Sequence, residues 1–135
     1  MSLFSVFNIA GTGMAAETER LNAVASNLAN ANSQVDSSGQ PYRAREVVFR
    51  TLQNAEDATP GLAGVEVAGV VTSQAPLRKI YDPDNQFADT DGYVQMPNVN
   101  PVDEMVNMIS AQQNYQADLE AFNVAKTLAQ RTLSI

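Results

Sequence analysis

Asn100-Pro101-Val102-Asp103-Glu104-Met105-Val106 decides how this chain is read, because it carries a complete helix-start signal. Asn is a natural N-cap and proline is pre-organised for the first helical position. Asp103 and Glu104 then set negative charge at the positive end of the helix dipole, and Lys126 and Arg131 fall near the opposite end, where cations are favoured. After Pro101 neither glycine nor proline occurs through Ile135. Such a helix is about 50 Å long and needs a long partner helix. Its apolar stripe runs through Val102, Val106, Ile109, Ala117, Ala121, Val124 and Leu128, with Tyr115, Leu119 and Phe122 beside it.

The opposite end of the chain carries a matching pattern. Leu3, Phe7, Ala10, Met14, Leu21, Val24 and Leu28 follow the spacing of one helix face. This helix is expected from near Ser2 to about Ala31, weakened at Gly11 and Gly13, each costing about 1 kcal/mol against Ala. Asn30-Ala31-Asn32-Ser33 stops it. Between the helices lie a loop at 34–40, a strand within Tyr42–Thr51, a loop at 54–64, a β-branched strand at Val65–Thr72 and a short strand at Leu77–Tyr81. The reading is an α+β chain in three parts. An N-terminal helix occupies 1–33, a small β-rich middle 34–97 and a C-terminal helix 98–135, with the two helices pairing as a coiled-coil-like hairpin.

Composition removes several function classes. The 135 residues include 15 acidic against 8 basic side chains, a formal net charge of -7, which disfavours nucleic acid and anionic membrane. With no Cys and no His, the usual zinc sites, Cys-His pairs and Ser-His-Asp triads are excluded. No apolar run is long enough to span a bilayer. Met1–Phe7 carries no Lys or Arg and is not read as a cleavable secretory signal.

Three local patterns suggest chemistry and are better explained otherwise. Gly11-Thr12-Gly13-Met14-Ala15-Ala16 matches a dinucleotide fingerprint, with Asp36 at a suitable distance, but its flanks continue a helix. Asp82, Asp84, Asp89 and Asp91 precede Gly92, yet an EF-hand alignment places Phe87 and Asn98 where carboxylates belong. Asp103 and Glu104 are adjacent on a helix and point in different directions. No catalytic residue, metal site or cofactor is expected.

Arg20-Leu21-Asn22-Ala23-Val24-Ala25-Ser26-Asn27-Leu28-Ala29-Asn30-Ala31-Asn32-Ser33 closely resembles the N-terminal signature of bacterial flagellar rod and hook proteins. Asn98 to Val106, followed by Gln112, Tyr115 and Gln116, resembles their C-terminal signature, and Pro41 to Phe49 with the short middle is similar to proximal-rod members. Gln112-Gln113 stands where relatives often carry a basic residue. The resemblance implies a structural, non-enzymatic subunit of the flagellar basal body. Such subunits leave the cytoplasm through the flagellar type III export apparatus. They assemble in the periplasm with themselves and with FlgB, FlgF, FlgG and FliE type components, forming a torque-transmitting helical tube around the export channel. Leu21, Val24, Asn27, Leu28, Asn30, Met105, Ile109, Tyr115, Leu119, Val124 and Leu128 are then the expected assembly interface, with Asn27 and Asn30 bonding to backbone near the helix end. Two rival readings remain open at this point. One is a small dinucleotide-binding protein using the Gly11-Gly13 loop, and the other is a soluble homo-oligomeric coiled coil.

Overall fold

A computed structural model describes residues 3–35, 39–52 and 62–135. Helix α1 (Leu3–Ala29) and helix α2 (Pro101–Leu133) run antiparallel along each other. Between them in sequence lie strands β1 (Arg45–Leu52), β2 (Gly64–Thr72), β3 (Arg78–Tyr81) and β4 (Tyr93–Met96). The α+β architecture and the two long terminal helices agree with the sequence reading.

The start of α2 forms as its residues dictate. Asn100 is extended, and its side-chain oxygen accepts from Val102 N at 3.1 Å, while its amide donates to Asp103 at 2.9 Å. One orphan N–H of the first turn is thereby satisfied. Helix α1 passes without a break through Gly11 and Gly13.

Strands β1 and β2 pair antiparallel from Arg45↔Thr72 to Leu52↔Gly64, with a bulge that leaves Ala68 between the partners of Val48 and Phe49. This hairpin packs on α1, where Val65 N donates to Thr12 Oγ1 at 3.3 Å. The expected loop at 54–64 lies largely outside the described residues, and Gly64 already belongs to β2.

Strands β3 and β4 form a separate two-stranded sheet, Arg78↔Met96 to Tyr81↔Tyr93. Sequence reading missed β4. Its signal was the alternation Tyr93-Val94-Gln95-Met96, which buries Val94 and Met96 and leaves Tyr93 and Gln95 outside. The turn before β4 explains the Asp cluster: Asp89 Oδ1 accepts from Asp91 N at 3.0 Å and Tyr93 N at 2.9 Å. Gly92 has φ +83°, and a Cβ there would stand 2.9 Å from the Tyr81 ring, so the position demands glycine.

The interior is built from small side chains. Ala10, Ala16, Ala23 and Val24 of α1 and Ala111 and Ala125 of α2 are buried, and Ala31, Tyr42, Ala44 and Val99 form a cluster at the end of α1. Alanines let the helix backbones approach closely, so the pairing rests on fit more than on large apolar area.

Candidate assembly interface

Helix α2 has two faces with different chemistry. The face turned to α1 is Glu104, Met108, Ala111, Tyr115, Asp118, Phe122, Ala125 and Ala129, all buried or half-buried and spaced alternately by four and three. Five of these eight residues are small or charged. The opposite face bears Val102, Met105, Val106, Ile109, Leu119, Val124 and Leu128, every one exposed, with Val106 at 61% and Ile109 and Val124 at 54%. The apolar stripe that the sequence offers as the contact of α2 is therefore not the one that meets α1. Both faces carry heptad spacing, and α1 selects the narrower, smaller one.

The seam is held by polar rungs. Phe7 meets Phe122 edge to face with centroids 4.9 Å apart. Asn114 Nδ2 donates to Glu17 Oε1 at 2.9 Å, Arg20 Nη2 donates to Asn107 Oδ1 at 3.5 Å, and Asn27 Nδ2 donates to Glu104 Oε2 at 3.1 Å. Glu17 is buried, and its Oε2 accepts no hydrogen bond; Arg20 Nη1 stands 3.6 Å away. Burial raises the carboxyl pKa of half-buried Asp118 above its ordinary 3.8, and the Glu17 charge adds to the rise. Asp118 fits because the facing residue is Gly13, where a Cβ would lie 2.4 Å from Asp118 Oδ2.

Asn27 joins three parts of the chain. Its Oδ1 accepts from Arg45 N at 2.8 Å and from Tyr42 Oη at 2.9 Å, and its Nδ2 donates to Arg45 O at 2.9 Å as well as to Glu104. Asn98 performs a similar task one layer away, accepting from Ala44 N at 2.8 Å and donating to Ala75 O at 3.0 Å. Asn98 was noted in the sequence as part of a signature but not as a structural bracket; its distance from Ala44 in the chain hid the bond.

The expected interface residues thus divide. Met105, Ile109, Leu119, Val124 and Leu128 are exposed on α2, and Leu21, Leu28, Asn30 and Tyr115 are half-buried. Val24 and Asn27 are enclosed within the subunit, at 5% and 1% exposure, so they shape the surface from inside and do not present themselves to a neighbour. The expected backbone bonds of Asn27 and Asn30 take different forms. Asn27 reaches across to Arg45, and Asn30 Nδ2 donates to Ser26 O within its own helix end at 2.9 Å. Gly11-Thr12-Gly13 lies inside α1, where Thr12 Oγ1 donates to Ile9 O at 2.8 Å, so it forms no strand-to-helix turn and no phosphate cradle. Asp36 lies outside the described residues. No described helix is long and apolar enough to cross a membrane.

Comparison with known proteins gives the family. Residues 7–34 match the family described as Flagella basal body rod protein, and residues 90–135 match Flagellar basal body rod FlgEFG protein C-terminal. The chain is 50% identical to the flagellar basal-body rod protein FlgC of Salmonella typhimurium and 49% identical to FlgC of an Escherichia coli O6:H1 strain, in both cases over 100% of this chain and 98% of the relative. Against FlgC of Aquifex aeolicus the identity is 41%, over 98% of this chain and 96% of the relative. The outward apolar helix face and the inward polar seam are thus features of a chain that belongs to the flagellar basal-body rod protein family, as a FlgC-like member.

Proposed function

We propose that this structural rod subunit assembles through the outward face of α2, with Met105, Val106, Ile109, Leu119, Val124 and Leu128 as the principal contacts. The observation that carries the reading is the exposure of that face while smaller side chains fill the seam with α1. A row of exposed large apolar residues on a helix already paired on its other side marks a surface that another chain covers. Head-to-tail contacts whose rotation does not close generate an open helical array. Both helices then lie in the wall of a tube around the export channel, and the middle segment, 34–97, faces outward. The partners are further copies and rod components of FlgB, FlgF, FlgG and FliE type, met in the periplasm after passage through the flagellar export apparatus. The role is mechanical, transmitting torque, and not catalytic.

The test is complementation in a flagellated bacterium deleted for its own copy. Ile109→Asp and Val124→Asp each abolish motility and rod recovery while the purified subunit keeps its helix content and melting temperature. Normal motility with both changes together would overturn the reading.

A further inference from the structure

Where the β1–β2 hairpin lies against the two helices, a cavity of about 330 Å³ opens beside the seam. Glu17, Asn114 and Asp118 supply its polar groups, and Ile9, Phe49 and Val65 are its large apolar walls. Glu17 is 9% exposed. Its Oε1 accepts from Asn114, while its Oε2 accepts no hydrogen bond and has Arg20 Nη1 at 3.6 Å. Arg20 divides itself between Glu17 and Asn107 and is not among the described residues that line the cavity. Asp118 makes no hydrogen bond and no ion pair among the described residues. Two acids therefore share one cation, and one negative charge is left over beside apolar walls. Residues 53–61, which join β1 to β2 in sequence, include neither lysine nor arginine, so that connection cannot supply the missing charge.

We propose that in the assembled rod this cavity receives a lysine or arginine side chain from a neighbouring subunit. The aliphatic stem of such a side chain lies along Phe49, Ile9 and Val65, and its charged head reaches Glu17 Oε2 and the Asp118 carboxylate. A carboxylate taken out of water without a partner is costly, whereas one paired with a cation across an interface fixes the register of the contact. A neighbour that brings an acidic or neutral segment to the same place leaves both acids uncompensated, so the cavity also selects its partner. Residues of α1, α2 and the β1–β2 hairpin all line the cavity. It is thus complete only where the three are together, as in the assembled state, and requires nothing of the helices in the free chain. The contact rests on the assembly reading above but uses the flank of the seam and not the outward face of α2.

Photo-crosslinking in assembled basal bodies tests it. A strain lacking its own copy is complemented with the chain carrying p-benzoylphenylalanine in place of Phe49, and its purified basal bodies are irradiated. A link to a neighbouring subunit, mapped by mass spectrometry to a site at or next to a lysine or arginine, is expected. Links confined to the same chain, links to a stretch without a basic residue at that point, or no link at all would overturn the proposal. Asp118→Asn supplies the second arm. It removes a repulsion inside the seam, so a purely internal role predicts assembly as good as the parent's or better. The neighbour contact predicts the reverse, about tenfold fewer basal bodies at an unchanged cellular level of the subunit, the scale of one lost charge pair. Neutralising the mapped basic residue lowers the yield alike, and both changes together lower it no further than either alone. Parental yield with Asp118→Asn would remove this contact and leave the outward-face reading standing, since that reading is decided by Ile109→Asp and Val124→Asp.

Discussion

Asn27 is a short polar side chain at 1% exposure that spends its whole bonding capacity inside the fold: two bonds accepted and two donated. Removing it takes a partner from the N–H and C=O of Arg45 and from the Glu104 carboxylate, and leaves the Tyr42 hydroxyl only Ser26 Oγ at 3.0 Å. Asn27→Ala should therefore cost about 3 kcal/mol in chemical denaturation, more than its lost volume explains. Asn27→Asp should cost more at neutral pH than in mild acid, since its carboxylate would face the Arg45 carbonyl and the Glu104 carboxylate. The glycines of α1 give a paired test. Nothing stands within 4 Å of a Cβ built on Gly11, whereas one on Gly13 meets Asp118. Gly11→Ala should stabilise the chain by about 0.5–1 kcal/mol through helix propensity. Gly13→Ala should fall short of that gain, and combining it with Asp118→Ala should recover the difference, measured by urea denaturation.

At the scale of the elements, the seam between α1 and α2 holds two acids, Glu17 and Asp118, that repel each other. The carboxyl of Asp118 holds its proton more tightly in the folded chain than in the unfolded one. Its contribution to stability is thus fully present below the ordinary value of 3.8 and is lost as pH rises through the raised folded value. Asp118→Asn should remove that part of the pH dependence and make the helix pair more stable than the parent at neutral pH, in melting curves taken from acid to neutral. The start of α2 was legible because Asn100, Pro101, Asp103 and Glu104 carry their meaning locally. The side of α2 that meets α1 was not, because two faces share heptad spacing and apolarity pointed to the larger one. What decides between them is the match of Gly13 to Asp118 and of Asn114 to Glu17, pairings between distant parts of the chain that no local pattern announces. Strand β4 was missed for a related reason: four alternating residues behind an Asp-rich turn look like the tail of a loop.

For the whole molecule, the polarity of the helix pair is turned outward compared with a self-sufficient hairpin. Alanines and polar rungs face inward, while Val106, Ile109, Val124 and Leu128 face solvent. Removing the outward apolar side chains should then leave folding intact and change only what the surface attracts. Ile109→Glu with Val124→Glu replaces two β-branched residues by a better helix former at exposed positions, so the melting temperature should stay the same or rise slightly. Binding of a dye that fluoresces on apolar surfaces should fall in the same variant, because the row is interrupted at two of its inner positions. Val24→Asp provides the opposite case. It puts a charge where the side chain is buried at 5% exposure, and it should lower the melting temperature and increase dye binding together, as the seam opens. If the outward pair behaved like Val24→Asp, with stability lost, those residues would belong to the interior that holds the subunit together. Stability preserved with dye binding lost is the signature of a surface kept apolar for another chain.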